Sequence, residues 1–254
     1  MLNKLYHKGA EIKSAFLNGV KVFGTSEVPV EPSGDMGLAK DYSGTGWYKA
    51  TDTGTVFSKD VPALETHVFE EGGLEYVSVY TKEDAKLYGE RAAVSNMTNM
   101  NSMFSEAKAF NQDISNWDVS SVTDMGMMFV NATSFNQDIS NWDTSNVTNM
   151  SYMFYGVTSF NSDLSNWNVS SVTNMSLMFQ NATSFNQDIS VWDVSSVTKM
   201  AGMFVKATSF NQDLSVWCVP LIPARQSNFD SGATAWTLPR PVWGTCPRGE
   251  NISA

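Results

Sequence analysis

The stretch Phe110-Asn111-Gln112-Asp113-Ile114-Ser115-Asn116-Trp117-Asp118-Val119-Ser120-Ser121-Val122-Thr123-Asp124-Met125-Gly126-Met127-Met128-Phe129 returns, with few changes, every 25 residues. Five copies fit between residues 94 and 219. Aligned, they place Trp117, Trp142, Trp167, Trp192 and Trp217 in one column and Phe110, Phe135, Phe160, Phe185 and Phe210 in another. Met100, Met125, Met150, Met175 and Met200 form a third, and Met103-Phe104 and its successors a fourth. Two polar columns are equally strict, one headed by Asn111 and one by Asp113.

A fixed period of this length marks an array in which one unit cannot bury its apolar face and its neighbours supply the core. The spacing Ile114-x-x-Trp117-x-Val119 matches the strand-bearing core of a leucine-rich repeat, which predicts a short parallel strand at 116–120 and its equivalents. The next apolar residues, Val119, Val122, Met125 and Met128, fall three apart behind a possible Thr123 cap. That spacing predicts one or two helical or 3₁₀ turns on the opposite side of the coil. The expected fold is therefore a leucine-rich-repeat-like solenoid, with one short parallel strand and one helical or 3₁₀ turn per 25-residue coil, and a small β-rich N-terminal module.

The repeated phrase resembles the unit of the BspA-like leucine-rich-repeat surface proteins of bacteria and their viruses. The ending Trp217-Cys218-Val219 with Pro241-Val242-Trp243-Gly244-Thr245-Cys246-Pro247 is similar to the closing segment of that family. The resemblance covers roughly 94–247 and implies a fold and a surface location, with no enzymatic activity. A second phrase, Ala15-Phe16-Leu17-Asn18-Gly19-Val20-Lys21-Val22-Phe23-Gly24, resembles a hairpin near the starts of bacteriophage tail and other virion proteins.

The chain has 254 residues, enough for a core without metals or cross-links. Its net charge is −10, which opposes binding to nucleic acid or to an anionic membrane. Residues 94–218 carry ten acids, three lysines and no arginine, a poor surface for holding phosphate. The two cysteines, Cys218 and Cys246, are open to two readings: a bridge that closes the terminal cap, or two unpaired small core residues. The bridge is the expected one, and it suits an oxidising, extracellular destination. The N-terminus shows no apolar signal segment, and no run of 18 apolar residues occurs. A virion component, released by lysis, or a fragment of a longer surface protein would reconcile the two.

Along the chain, Asn18-Gly19 predicts a hairpin between 12–17 and 20–23. Prolines and glycines across 25–46 suggest a linker or irregular arm. Residues 47–57, 66–69 and 74–80 read as strands. The charged run at 82–91 reads as a short helix leading into the first coil and covering its open end. The predicted division is thus 1–81 for an attachment module, 82–93 for a capping helix, 94–218 for five coils and 219–254 for a C-terminal cap. In that cap Phe229 lies 25 residues after Phe204, Arg225 stands where Met is expected, and no Trp occupies 242. Four prolines then stop further pairing.

The aromatic and Met columns are read as core rather than as a ligand surface, since like residues in register stack on one another. The Asp113 column lacks the glycines of calcium-binding repeats, so each Asp is expected to accept backbone N–H groups in its own turn, and each Asn111-type side chain to bond the neighbouring coil. With Ile114, Trp117 and Val119 inward, the outward residues are Asn116, Asn141, Asn166, Val191 and Val216 beside Asp118, Asp143, Asn168 and Asp193. These are the candidate contact residues. His7 and His67 are the only histidines, both outside the repeats, and no nucleophile–base set can be assembled. No catalysis and no cofactor are expected. The predicted function is adhesion: a virion or extracellular surface protein whose N-terminal module docks to a virion protein and whose solenoid meets a host cell-surface receptor, protein or glycan, without membrane insertion. Rival readings are a purely structural virion part and an ice-binding solenoid built on the Thr123, Thr148, Thr173 and Thr198 column.

Overall fold

The computed structural model describes residues 92–95 and 97–247, together with the backbone of seven short strands before them. The strands β1 (Phe16–Leu17) and β2 (Val20–Lys21) pair antiparallel around the Asn18-Gly19 dipeptide, with Leu17 opposite Val20. A three-stranded antiparallel sheet follows, β3 (Ala39–Asp41), β4 (Trp47–Ala50) and β5 (Val56–Ser58). Part of the expected linker at 25–46 is thus a strand, β3, whose Ala39 pairs with Ala50. In the third sheet β6 (Thr66–Val68) runs antiparallel to β7 (Glu75–Ser78). β8 (Ala92–Ala93) pairs parallel with β7 through Val77 and Ala92. Of the helix expected at 82–93, residues 82–91 lie outside the described residues, while Ala92–Ala93 are strand, their main chain taken up by β7.

Among the described residues of 94–247 there is no helix and no strand of two or more residues. In place of a strand at 116–120, single parallel bridges link Asn99, Asp124, Asn149, Asn174 and Lys199 in succession. From these bridges runs a ladder of hydrogen bonds to the next unit. Met125, Met127, Phe129 and Asn131 donate their N–H groups to the carbonyls of Asn149, Ser151, Met153 and Tyr155, at 2.8–3.0 Å. The alternate N–H groups fold back three residues instead: Met128 to Met125, Val130 to Met127, Ala132 to Phe129. Each unit is therefore a run of tight turns whose spare donors reach its neighbour, which satisfies the main chain without extended strands.

The three-residue apolar spacing has the same origin. Val122 N–H donates to the Val119 carbonyl at 2.8 Å and Met128 to Met125 at 3.2 Å, so every third side chain returns to the inside. A 3₁₀ helix is broken at once, because Met127 has φ 58° and Asn131 φ 54°. Their counterparts Ser102, Glu106, Tyr152, Gly156, Leu177, Asn181, Gly202 and Lys206 are left-handed too. Each is the second central residue of a turn closed three residues on, as Met127 is in the turn from Met125 to Met128, the place at which a type II turn demands positive φ.

The inside is built from the repeated columns. Met100, Met125, Met150, Met175 and Met200 are fully buried, as are Phe129, Phe135, Phe154, Phe160, Phe179 and Phe185. Burying one such Phe is worth roughly 1.5–3 kcal/mol. Within a unit Phe129 and Phe135 stack with centroids 4.1 Å apart; between units Phe129 and Phe154 lie at 5.7 Å. Trp117 and Trp142 lie 6.4 Å apart at 4°, and Trp142 and Trp167 6.3 Å apart at 5°, so these rings are offset-parallel. Each buried indole also needs an acceptor. The Trp142, Trp167, Trp192 and Trp217 Nε1–H groups donate to carbonyls 28 residues back, at 2.9–3.1 Å.

The C-terminal cap is a sixth unit with one residue added. Elsewhere the ladder joins residues 24 apart, as in Phe179 to Met203; at the cap it joins residues 25 apart, as in Phe204 to Phe229. Phe229 thus stands in the place of Met203, and Gln226, whose carbonyl accepts the Phe229 N–H, in that of Met200. The left-handed Asn228 and Gly232 keep the same shift from Gly202 and Lys206. Trp236 takes the Phe210 place, turned edge-on to that ring at 4.7 Å and 86°. A sixth tryptophan does occur, displaced to Trp243, edge-on to Phe229 at 4.9 Å.

Arg225, freed from the Met column, pairs with Asp230, and Arg240 reaches the same carboxylate at 2.9 Å while its guanidinium covers Trp236 at 4.4 Å. The Asp230 side chain is 7% exposed. Burial would push its carboxyl up, but the hydrogen bonds and charges of Arg240 and Arg225 outweigh this and hold it below the usual range. Because the folded value lies under the unfolded one of about 3.9, the stabilisation is complete above that value and is lost as pH falls through the folded value. Asp230→Asn is therefore expected to lower stability by about 1–2 kcal/mol at neutral pH. In melting curves recorded against pH, the gap to wild type should close below about pH 4; a constant gap would refute the assignment.

Candidate functional site

The outward columns are set by the turns that carry them. In the Asp113 column, each carboxylate Oδ1 accepts the backbone N–H two residues on, from Ser115, Ser140, Ser165, Ser190 and Ser215, at 2.8–2.9 Å. The Ser140 hydroxyl, then its N–H, holds the Asp138 carboxyl below the ordinary range, and Ser215 does the same for Asp213. Asn111, Asn136, Asn161 and Asn186 each accept the N–H of the next unit's Asn at 2.8–2.9 Å, and Asn211 ends the series by accepting from Thr237 and Leu238. Both ladders connect the chain to itself. Among the described residues no three His, Cys, Asp or Glu side chains converge.

The candidate contact residues divide. Asn141, Asp143, Asn166, Asn168 and Asp193 are exposed, Val191 is 65% exposed, and Asn116 and Val216 are half-buried. Asp118, expected outward, is 6% exposed; its Oδ1 accepts the Ser120 hydroxyl at 2.7 Å and the Ser120 N–H at 3.0 Å. The same turn engages Asp143 with Ser145, Asn168 with Ser170 and Asp193 with Ser195. In this column the side chain brackets its own turn with one oxygen, and what it can offer a partner is the other side of the group. At the inward position next to it, Thr144 replaces Val; fully buried, it donates its hydroxyl to the Asn168 carbonyl at 2.9 Å.

At the end of the same column stands Cys218, bonded to Cys246 across 28 residues. The disulfide closes the cap where the earlier units have an acid–serine turn. Beside it lies a hollow of about 290 Å³ lined by Val191, Asp193, Val216 and the two half-cystines. Three of the residues expected from sequence, Val191, Asp193 and Val216, therefore share one concavity.

The Thr column points outward but is not free. Thr123, Thr148, Thr173 and Thr198 each donate both N–H and hydroxyl to the carbonyl of the Thr one unit back, at 2.8–3.2 Å.

A second variable surface escapes sequence reasoning. The left-handed positions carry Ser102, Met127, Tyr152, Leu177 and Gly202, and three residues later stand Ser105, Val130, Tyr155, Gln180 and Val205. The signal was present: these are among the positions at which an otherwise constant unit changes most. Tyr152 and Tyr155 are half-exposed with ring centroids 5.8 Å apart.

No helix among the described residues is long and apolar enough to cross a membrane. No curated protein and no solved structure matches the chain. A family model described as "Mycoplasma protein of unknown function, DUF285" matches residues 80–175 and 137–238, together more than half of the chain. A match to that repeat family is compatible with the resemblance to BspA-like surface proteins. On the extent of that match, the chain belongs to the DUF285 family.

Proposed function

We propose that the protein is a non-catalytic recognition protein of a virion or bacterial surface, its repeats forming a five-coil, leucine-rich-repeat-like solenoid that presents a polar, acidic face to a host receptor. The observation that carries the reading is the contrast between the two sides of each unit. Inward residues repeat almost unchanged and are satisfied by the chain itself, whereas outward ones change from Asn116 to Val191 and Val216. A valine left 65% exposed at the mouth of a 290 Å³ hollow supplies apolar contact within a polar rim, the usual anatomy of a recognition patch. The disulfide suits an oxidising exterior. The virion assignment draws on the hairpin phrase at 15–24, and the N-terminal strands would then dock to the particle. Because the Thr hydroxyls donate to main-chain carbonyls, an ice-facing array would lack its donors.

The test is binding of the labelled full chain to candidate host cells, compared with Val191→Arg. The variant is expected to fold as wild type and to lose about tenfold or more in affinity, as for a central contact residue. If wild type attaches to no host cell, or the variant attaches equally well, the recognition reading fails and a structural part in the particle takes its place.

A further inference from the structure

The left-handed column steps down abruptly at Gly202. Ser102, Met127, Tyr152 and Leu177 each carry a side chain at φ 58–60°, whereas Gly202, at φ 64°, carries none. The cap resumes with Asn228 at φ 53°. Between them lies a hollow of about 400 Å³, floored by Leu177, Gly202 and Val205 and rimmed by Gln180, Asn228 and Ser231. None of its lining residues is charged, on a chain of net charge −10. Gln180 Nε2 lies 3.5 Å from the Tyr155 hydroxyl, which joins the hollow to the half-exposed Tyr152–Tyr155 step.

We propose that this hollow, together with the tyrosine step, binds an uncharged sugar. The volume lies within the range of small-ligand sites, which combine an apolar lining with a few placed polar groups. A pyranose ring presents an apolar C–H face to such a floor and to tyrosine rings. Its hydroxyls both donate and accept, as do the amides of Gln180 and Asn228 and the hydroxyl of Ser231. An anionic ligand would find no cation in the lining and an acidic chain around it, and a cationic one no carboxylate in the lining. The hollow shares no residue with the one beside Cys218–Cys246, so the proposal goes beyond surface recognition by Val191 and does not rest on it.

Gly202→Leu fills the hollow: Leu177 occupies the same backbone conformation one unit earlier, and a new Cβ would press the flexible Cδ2 end of Leu177 at 2.7 Å and touch Val205 Cγ2 at 3.5 Å, so the substitution carries some strain but meets no backbone. Tyr155→Ala removes the step without touching Gly202. The full chain is applied to an array of neutral glucan, mannan, galactan and N-acetylhexosamine oligosaccharides, with uronate- and sialate-bearing chains and an apolar peptide as other arms. A neutral hit is then titrated calorimetrically. Expected is binding in the neutral arm, about tenfold weaker in each variant, with each variant keeping the wild-type circular-dichroism spectrum and a cooperative melt, and no effect of Val191→Arg. A cell-surface polysaccharide and a protein-linked glycan are separated by which neutral chains bind. Absence of any neutral hit, preference for charged chains or the peptide, or binding that survives both substitutions would overturn it.

Discussion

Trp142→Ala is expected to remove about 3–5 kcal/mol of stability, a large part of the roughly 5–15 kcal/mol that a domain commands. The ring is 3% exposed, parallel to Trp117 and Trp167 at 6.4 and 6.3 Å, and 6.4 Å from Phe129. Its loss opens a cavity shared by three units and leaves the Ile114 carbonyl without the 3.1 Å bond it accepts from Nε1. Trp142→Phe separates the two effects: an aromatic ring persists, the indole donor goes, and the cost should fall to about 1–2 kcal/mol, because the Ile114 carbonyl loses one hydrogen bond but keeps the one from the Trp117 N–H at 3.1 Å. Guanidinium unfolding of the full chain, followed by circular dichroism, measures both. In a stack held together by nearest-neighbour contacts, the Ala variant should also broaden the transition, because units on either side of the break melt separately. Equal, sub-kilocalorie losses for the two variants would mean that the tryptophan column does not hold the units together.

The inward columns are legible in the sequence because stacking forces like residues into like places. A Trp at every twenty-fifth position is a packing constraint written five times, and the same holds for the Asn111 and Asp113 columns, whose hydrogen bonds follow from the turn chemistry of those residues. The type of local structure is not legible in the same way. Val119, Val122, Met125 and Met128 have the spacing of a 3₁₀ helix, but that spacing is equally produced by successive tight turns. The distinction lies in the sign of φ at Met127 and Tyr152, residue types that ordinarily avoid the left-handed region, and nothing in their identity announces it. The stack supplies the reason: the left-handed residue donates its own N–H to the neighbouring unit, Met127 to Ser151 and Tyr152 to Ser176, while the next N–H closes the turn, and the two bonds offset the local cost.

The cap shows a different limit. A reading at fixed period finds Arg225 in a Met place and no Trp at 242. The ladder shows an added residue, after which Gln226, Phe229 and Trp236 occupy the places of Met200, Met203 and Phe210, and Trp243 falls at the correspondingly shifted position after Trp217, edge-on to Phe229. One insertion shifts every later column while leaving composition untouched, so periodicity alone mistakes a displaced unit for a decayed one. The contact face is the least legible. Asp118 and Asp143 are the same residue in the same phrase, yet the first is buried and the second exposed.

Reducing the disulfide, or replacing Cys218 by Ser, is expected to cost about 3.5 kcal/mol in the chain-entropy model for a bridge spanning 28 residues. The loss should be local before it is global. Residues 219–247 are tied to the last full unit by the Phe204 and Lys206 ladder bonds, by Leu214 to Pro239, and by Val219 to Thr245 with Gly244 returning to Val219. The last two flank the cross-link and depend on it to hold the chain end in place. Without the bridge they open first, exposing Trp243 and the edge of Phe229, while Trp236, clamped between Phe210 and Arg240, stays. Limited proteolysis with and without reductant should therefore show new cleavage between Arg240 and the C-terminus under reducing conditions. The repeat body should remain protected, and the melting midpoint should fall. Cleavage within the repeats under the same mild treatment would mean instead that the cap and the body form one cooperative unit, with the disulfide holding the whole stack closed. Identical digests and midpoints in both states would mean that the Trp236–Arg240–Asp230 cluster carries the cap by itself. In that case Asp230→Asn, rather than reduction, would be the change that releases it.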